Sequence, residues 1–415
     1  MTTPVRIPFP VVDEVSRHCL QEEEPETVHI EVHLPGPLDR SRLRKAFLEA
    51  LHRHPRILMR EAPGPWYRRR YEWELTREPD VEVVTFAPPG PRAVREARAR
   101  ALAQAPPLSQ SPPVRLEVVD SVLFLTINHT ALDGPACLRV LATAAELYGG
   151  RDNSPAAPPV RPAEPHREPP DTPTNWTPPA RVARGTPEPS PGNGMLVTEL
   201  PLPHRPKGSP YTVNDQLMVT TALTLAHWNR EHGARPRPLR ITMPVDDRPR
   251  DLSMAIGNGT RLVEVPFAPR ELRDPHLPDL LRRTAERTRA LKSLPRPQLG
   301  YGATLLTAPW APVAARAALT RTLRRAAAPW TSTTLLSNIG RIPYPLDFGE
   351  EAGRAHAVWF SAPARMPRGL TVTTASTAGR LHLALRWSRT LLGPGDGAHL
   401  RDLFEHYLHT TEATS

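Results

Sequence analysis

Residues 112–150 read PPVRLEVVDSVLFLTINHTALDGPACLRVLATAAELYGG, and this stretch predicts the centre of the fold. Val114 to Val119 and Val122 to Asn128 are two largely apolar runs joined at Asp120, which is typical of paired strands. The second run is almost wholly apolar, so we expect it to be buried on both faces of a sheet. A helix should follow, because apolar residues recur at helical spacing before Gly149: Leu138, Leu141, Ala145 and Tyr148.

Between this strand and this helix, His129, Asp133 and Gly134 stand at HxxxDG spacing. A turn after a buried strand can hold one imidazole rigidly toward a cleft, and an imidazole can accept a proton near neutral pH. His129 is therefore a candidate general base, a role that contributes about 10²- to 10⁴-fold to a rate. We expect Asp133 to pin the loop by pairing with an arginine, and Gly134 to permit the turn into the helix. The alternative is that His129 is an ordinary structural histidine.

The rest of the chain divides at a proline-rich stretch, residues 151–193, which has almost no large apolar side chains and predicts a linker. It separates an N-terminal lobe, residues 1–150, from a C-terminal lobe, residues 194–415. Outside the central stretch, helices are expected at 39–54, 212–232, 278–294, 311–328 and 398–408, and strands at 239–245, 262–267, 333–338, 356–361, 370–374 and 381–387. Helices and strands mix in both halves, which predicts an α/β (α+β) class.

The composition limits the partners and the compartment. The chain has 415 residues, a formal net charge of +10 and a pI near 10.2, which favours an anionic partner such as a nucleotide-bearing thioester or an acidic carrier protein. Its arginines are scattered and no nucleic-acid-binding motif is present, so we do not expect nucleic acid. Cys19 and Cys137 lie beside no metal-ligand spacing, so we expect neither a disulfide nor a metal. With no apolar stretch long enough for a membrane, a cytoplasmic protein is expected.

Other catalytic signatures are missing or incomplete. The sequence has no GxSxG elbow, no GxxxxGK[ST] loop and no HExxH, which argues against a serine hydrolase, a P-loop enzyme or a zincin. Gly257-Asn258-Gly259 and Gly300-Tyr301-Gly302 lack the third glycine of a dinucleotide-binding loop, and we interpret them as turns.

Five segments in the same order resemble the condensation domains of nonribosomal peptide synthetases and their relatives in the chloramphenicol acetyltransferase superfamily, which include polyketide-associated acyltransferases. Besides residues 112–150, these segments are LDRSRLRKAFLEALHRHPRI (38–57), TVNDQLMVTTALTLAHW (212–228), MPVDDRPRD with IGNGTRLVEVPF (243–267) and SNIGRI (337–342). The resemblance implies two chloramphenicol-acetyltransferase-like lobes arranged in a V, with a tunnel between them.

The resemblance also implies roles for single residues. His129 matches the second, catalytic histidine of the HHxxxDG motif, while Asp133 and Gly134 match its aspartate and glycine. Arg248 matches the arginine that pairs with that aspartate. Asn128 replaces the first histidine of the motif, which leaves substrate placement open. Possible contacts to substrate or to an oxyanion are Asn128, Thr334, Ser337 and Asn338.

The activity implied by the resemblance is acyl transfer in natural-product biosynthesis. An acyl group would leave a phosphopantetheine thioester, on coenzyme A or on an acyl or peptidyl carrier protein, for an amine or hydroxyl acceptor. No permanently bound cofactor and no membrane partner are expected, and the protein should be a monomer. Two alternatives stay open: a non-catalytic descendant that only binds a carrier protein, and a same-fold enzyme that dehydrates or cyclises a tethered intermediate.

Overall fold

The computed structural model describes residues 5–151, 177–248, 256–294 and 301–413. The strands are β1 (Arg6–Pro8), β2 (Thr27–His33), β3 (Met59–Glu61), β4 (Glu72–Leu75), β5 (Val84–Phe86), β6 (Val114–Val119), β7 (Val122–Asn128), β8 (Asn193–Pro201), β9 (Leu239–Asp246), β10 (Thr260–Phe267), β11 (Thr334–Arg341), β12 (Ala357–Ser361), β13 (Leu370–Thr377) and β14 (Arg380–Ser388). The α-helices are α1 (Val11–His18), α2 (Arg40–Arg53), α3 (Ala93–Ala103), α4 (Gly134–Tyr148), α5 (Val213–Glu231), α6 (Leu277–Ser293), α7 (Tyr301–Thr307), α8 (Val313–Ala326), α9 (Gly349–Ala352) and α10 (Pro394–Ala413).

The first lobe is built on a five-stranded sheet in the order β12-β2-β7-β6-β5. Every residue of its central strand β7 is buried, as the apolar run predicts. Helices α2 and α4 pack together, and their side chains Phe47 and Leu141 share a core with Leu125 of β7. Phe124, which points to the opposite face of the strand, packs instead against Ala97 of α3. Helices therefore cover both faces of the strand that leads to His129.

The second lobe is built on a six-stranded sheet in the order β10-β9-β11-β13-β14-β8. Helices α5, α6 and α10 cover one face, where Leu217 and Phe404 pack with alternate residues of the strands such as Met243. Helix α5 starts with a capping box, in which the Thr212 hydroxyl accepts from the Asp215 backbone and the Asp215 side chain accepts from the Thr212 backbone. The opposite face of this sheet packs in part against β12, where Trp359 contacts His382, and another part of it forms one wall of a cavity.

One strand crosses from the second half of the chain into the first lobe. Strand β12 pairs antiparallel with β2, with Phe360 opposite Ile30, and completes the first sheet. A buried guanidinium ties the same edge to the second lobe: Arg386 of β14 donates to Thr27 O over 2.7 Å and to Asn193 Oδ1 over 2.7 Å. The predicted division into lobes 1–150 and 194–415 places β12 in the second lobe. An apolar run predicts a strand, but it does not show which sheet that strand joins.

The predicted α/β class and the two-lobed fold are confirmed. The strands expected at 114–119 and 122–128 form with these bounds, and Asp39 caps α2 by accepting from Arg42 N over 2.7 Å. The sequence patterns did not lead us to α1, β2 or β8. Of the predicted linker 151–193, residues 152–176 lie outside the described residues, and β8 begins at Asn193. In the described part of the chain, no helix is long and apolar enough to cross a membrane.

The turn that carries His129 has a counterpart in the second lobe. After β7, the amides of Ala131 and Leu132 donate to Asn128 O over 3.0 and 3.3 Å. After β14, the amides of Leu391 and Leu392 donate to Ser388 O over 3.0 and 3.1 Å, and α10 follows as α4 does in the first lobe. The strand, turn and helix are thus repeated, with Arg389 at the position of His129.

Candidate functional site

A cavity of about 650 Å³ lies between the two large sheets. The first lobe contributes the turn at His129 together with β2 and β12, through residues such as Val28 and Phe360. The second lobe contributes part of the opposite face of its sheet, through residues such as Pro244 and Ser337. Helices α1 and α8 form further parts of the wall. Both lobes are therefore needed to enclose the cavity.

His129 lies at the wall of this cavity, at the end of β7. Its backbone amide donates to Glu26 O over 2.8 Å, which fixes the start of the turn to the residue before β2. Its ring Nδ1 lies 3.0 Å from the carbonyl oxygen of Leu132 in the same turn. A carbonyl oxygen can only accept, so Nδ1 carries a proton, and in the neutral imidazole Nε2 keeps its lone pair. The turn therefore sets the tautomer that a general base needs.

Asp133 lies behind His129 and joins the two lobes. Its Oδ1 caps α4 by accepting from Ala136 N over 3.0 Å. Its Oδ2 accepts from Gly259 N over 2.8 Å and from Arg248 Nη2 over 2.6 Å. The structure thus brings together Asp133 and Arg248, which are distant in the sequence, and places them where they hold the His129 turn.

The charge on Arg248 is balanced by two carboxylates. In addition to Asp133, the guanidinium contacts Asp246, with 2.9 Å between Nε and Oδ1. Burial alone would lower the pKa of Arg248, but the hydrogen bond that Arg248 donates to Asp246 and the charge of Asp133 outweigh it and raise the pKa above its usual value. Arg248 therefore keeps its positive charge beside the two carboxylates.

The Gly257-Asn258-Gly259 segment clamps the same turn, although we interpret it from the sequence only as a turn. Asn258 Nδ2 lies 3.2 Å from His129 O and 3.0 Å from Thr130 O. At Gly259, a Cβ would overlap the guanidinium of Arg248, so glycine lets the backbone approach the ion pair. The Gly-Asn-Gly sequence indicates a turn, but it does not distinguish a turn that clamps a neighbouring segment from one exposed to solvent.

Gly134 begins α4 and lines the cavity. Its φ is not in the left-handed region, and a Cβ there would make ordinary contacts with Phe360 and Val28 at 3.5 and 3.6 Å. Backbone conformation therefore does not demand glycine at this position.

Two of the four predicted substrate contacts face away from the cavity. Asn128 donates to Pro106 O over 2.9 Å and accepts from Thr130 N over 3.1 Å, so it braces the turn from behind. The buried Thr334 hydroxyl donates to Leu370 O over 2.8 Å. Both side chains bond within the protein, and neither residue is among those that line the cavity. Ser337 and Asn338 do line the cavity.

Two hydroxyl groups that the sequence reasoning missed lie in the cavity wall. Ser361 at the end of β12 and Thr373 on β13 are buried, and their hydroxyl oxygens have no hydrogen-bond partner among the described residues. Thr373 is the register neighbour of Ser337 on the adjacent strand β11. We call Ser337, Thr373 and Ser361 the hydroxyl band. Their hydroxyl groups could donate to an oxygen atom of a bound molecule. Serine and threonine in strands are too common for sequence alone to mark them.

Asp13 of α1 supports the clamp by binding the same amide nitrogen of Asn258 that contacts the His129 turn. Its carboxylate accepts from Asn258 Nδ2 over 2.9 Å and from Trp73 Nε1 over 2.8 Å. Burial raises its pKa to about 6, although both hydrogen bonds and the neighbouring Arg56 and His129 act in the other direction. The sequence reasoning missed this residue because it assigned no structure to residues 5–38.

The described residues contain no group of three or more His, Cys, Asp or Glu side chains arranged to hold a metal ion. The two cysteines are free and buried.

Comparison with curated proteins finds two similar sequences. The uncharacterized protein Rv2305 of Mycobacterium tuberculosis (strain ATCC 25618 / H37Rv) is 29% identical over 380 residues, which cover 82% of this chain and 84% of the relative. The uncharacterized protein MT2362 of strain CDC 1551 / Oshkosh matches with the same values. A scan against protein-family profiles finds no match.

Comparison with solved structures finds the same architecture along the whole chain. The condensation domain from Monacolin K polyketide synthase MokA has a TM-score of 0.63 at 13% identity, covering 99% of this chain and 97% of that one. The EpoB cyclization-docking bidomain from Sorangium cellulosum has a TM-score of 0.65 at 13% identity, covering 100% and 87%. The epimerization domain from the third module of tyrocidine synthetase B has a TM-score of 0.61 at 15% identity, covering 100% and 98%. This chain therefore has the condensation-domain fold, as the sequence resemblance predicted.

The first prediction concerns the ion pair between Asp133 and Arg248. Each single change, Asp133→Ala or Arg248→Ala, should lower the free energy of unfolding by about 3 to 5 kcal/mol. Arg248→Ala leaves the buried Asp133 carboxylate without its guanidinium, and Asp133→Ala removes the cap of α4 together with one of the two carboxylates that balance Arg248. The double variant should lose less than the sum of the two, and urea denaturation of all three variants measures the difference.

The exposed pair between Arg380 and Glu199 serves as the control for this cycle. Glu199→Ala should change the free energy of unfolding by about 1 kcal/mol or less. Additive losses for Asp133→Ala and Arg248→Ala would contradict the coupling of the two side chains.

The second prediction concerns the pH dependence caused by Asp13. The unfolded chain loses this proton near pH 3.8 and the folded protein near pH 6. The folded state binds more protons between these values, so the stabilisation is present at lower pH and is lost as the pH rises through about 6. Relative to Asp13→Asn, the wild type should lose about 3 kcal/mol of unfolding free energy between about pH 4 and about pH 7.

Urea denaturation at a series of pH values measures this loss. Asp279→Asn, at an exposed position on α6, is the control and should keep the wild-type profile in this range. Parallel profiles for wild type and Asp13→Asn would show that Asp13 does not titrate as described.

Proposed function

We propose that this protein transfers an acyl group from a phosphopantetheine thioester to an amine or hydroxyl acceptor, with His129 as the general base. The observation that carries the proposal is the state of the His129 ring. The ring Nδ1 is hydrogen-bonded to Leu132 O, and His129 lines a cavity that both lobes enclose. An imidazole held in this tautomer beside a ligand cavity is suited to proton abstraction.

The reaction follows from this geometry. The acceptor nitrogen or oxygen attacks the thioester carbonyl carbon while Nε2 of His129 removes the proton of the attacking group. The carbon–sulfur bond then breaks, and the departing thiolate takes the proton back from His129. The acyl group is now bonded to the acceptor, the donor is a free thiol, and the enzyme is unchanged. The step forms no covalent enzyme intermediate, so no nucleophilic side chain is required.

The hydroxyl band of Ser337, Thr373 and Ser361 supports the same reaction. Attack on the thioester places negative charge on the carbonyl oxygen, and donors fixed in advance stabilise such charge. The hydroxyl oxygens of Ser361 and Thr373 have no partner among the described residues, so each is free to donate its proton. We assign the oxyanion to this band, which retains Ser337 from the sequence-based candidates.

The size of the cavity and the charge of the chain fit the proposed donor. Sites for small ligands commonly have volumes of about 300 to 1,000 Å³, and this cavity of about 650 Å³ lies within that range. A net charge of +10 favours either coenzyme A or an acidic carrier protein as the group that delivers the thioester. We place the activity in natural-product biosynthesis, which is the setting of the condensation-domain structures that share the fold.

The position of Asn128 supports a catalytic protein over a non-catalytic descendant. Asn128 binds Pro106 O and Thr130 N and so keeps the His129 turn in place. The replacement of the first motif histidine therefore leaves the catalytic candidate intact.

The third prediction tests the general base. His129→Ala should lower the rate of acyl transfer by about 10²- to 10⁴-fold and leave the melting temperature near the wild-type value, because the ring makes one hydrogen bond within its own turn. The assay incubates the protein with acyl-coenzyme A and acyl-carrier thioesters and a panel of amines and alcohols, and detects the product by mass spectrometry.

His276→Ala, at an exposed position before α6, is the matched control and should keep full activity. Wild-type turnover in His129→Ala would overturn the assignment of the base. A product that has lost water without gaining an acceptor would indicate dehydration or cyclisation instead of transfer.

A further inference from the structure

Arg368 is an arginine in the cavity wall whose charge has no carboxylate beside it. Arg368 lies in the loop between β12 and β13 and lines the cavity. Two hydroxyl groups hold its guanidinium, with 2.9 Å between Nη2 and Ser332 Oγ and 3.3 Å between Nη2 and Thr242 Oγ1. Nε also donates to Ser332 Oγ over 3.2 Å. Within the described ranges, Arg368 makes no ion pair.

The neighbouring arginines differ from Arg368 in this respect. Arg365, which also lines the cavity, pairs with Glu26 and donates to Cys19 O over 2.8 Å. Arg181 donates to the carbonyl oxygens of Ala328, Pro367 and Thr331. Each of these guanidinium groups therefore meets acceptors of the protein, whereas Arg368 meets only hydroxyls.

The electrostatic surroundings make the positive charge of Arg368 costly in the unliganded protein. Burial lowers its pKa to about 10; the charge of Glu264 compensates only in part, and Arg324, Arg365 and Arg181 lower the pKa further. A buried charge normally needs a partner of opposite sign. An anion that entered the cavity would supply the missing partner and relieve the repulsion among the arginines.

The support for Arg368 is rigid enough to position a ligand. Thr242 Oγ1 donates to Ser332 Oγ over 2.6 Å. The two hydroxyl groups that accept from the guanidinium therefore also hold each other in place. Thr242 belongs to β9, in the middle of the second sheet, between β10 and β11. The fork of an arginine that is oriented in this way suits the two oxygens of a carboxylate or a phosphate.

The same strand relates Arg368 to the proposed reaction centre. Thr242 precedes Asp246 by four residues on β9, a separation of about 13 Å. Asp246 contacts Arg248, whose guanidinium reaches Asp133 behind His129. Pro244, midway between them on the same face, lines the cavity. Arg368 and His129 therefore lie at different points of the cavity wall.

We propose that Arg368, oriented by Ser332 and Thr242 and reinforced by Arg324, is an oxyanion-binding site that holds a carboxylate or phosphate group of the substrate away from His129. This assignment rests on the proposed function, because it takes the occupant of the cavity to be an acyl donor or acceptor. It restricts that occupant to molecules that carry a negative group in addition to the reacting carbonyl.

Binding of small probes tests the site without requiring turnover. Two probe pairs differ only in the anionic group: phosphopantetheine against pantetheine, and glutarate against glutaramide. The melting temperature of the protein is titrated with each probe at constant ionic strength, because a ligand that binds the folded state raises it. At least one anionic probe should bind while its neutral counterpart does not.

Variants assign the binding to the guanidinium. Arg368→Gln should raise the dissociation constant of the anionic probe by about 10- to 100-fold, since a charge-assisted pair is lost. Arg368→Lys keeps the charge without the fork and should give an intermediate value. Arg325→Gln removes the same charge from an exposed position of α8 next to Arg324 and should bind as wild type does. Without probe, Arg368→Gln should melt no lower than wild type, because its charge is unpaired.

The outcomes separate the two possible sources of the anion and separate this site from the proposed reaction. Binding of phosphopantetheine alone assigns the phosphate of the donor arm, and binding of glutarate alone assigns a substrate carboxylate. Equal binding by wild type and Arg368→Gln, or no preference for either anionic probe, overturns the site. His129→Ala should bind the probe as wild type does. The binding test of Arg368 therefore stands even if no acyl transfer is detected.

Discussion

The ion pair between Asp133 and Arg248 is the contact on which the site depends. It joins the turn that follows β7 to the region after β9, so it fixes the first lobe relative to the second at the place where the cavity lies. Asp133 also caps α4 and receives the amide of Gly259. One carboxylate therefore sets the start of a helix, the position of the other lobe and the place of the turn that carries His129.

The parts of the fold that the sequence predicted are those with a strong local pattern. Strand β7 is an almost wholly apolar run, and α5 starts with a capping box at Thr212, so periodicity and capping suffice to locate both. Helix α1 has acidic residues, Asp13 and Glu14, on its buried side, which hides its amphipathic pattern. The pairing of β12 with β2 is a contact between distant segments, and no local pattern carries that information.

The candidate site shows the same limit at the level of single side chains. Thr334 and Ser337 stand on one strand, and their side chains point to opposite faces because successive residues of a strand alternate. Deciding which of them meets the cavity requires knowing which face of the sheet the helices cover. Asp133 and Arg248 could be paired from the HHxxxDG resemblance, but that resemblance assigned no role to Asn258 or Arg368. Their roles follow only from the neighbours that folding gives them.

The repeated turn in the second lobe bears on why His129 is present at all. The segment Ser388 to Gly393 forms the same backbone hydrogen bonds as Asn128 to Asp133, with Arg389 in place of the histidine and Gly393 in place of the aspartate. The turn therefore forms without either side chain. Since Arg389 is partly exposed and lies near Glu188, the second turn is not part of the cavity wall. Histidine occupies this position where the turn faces the cavity, and arginine occupies it where the turn does not, so the backbone of the turn does not by itself require the histidine.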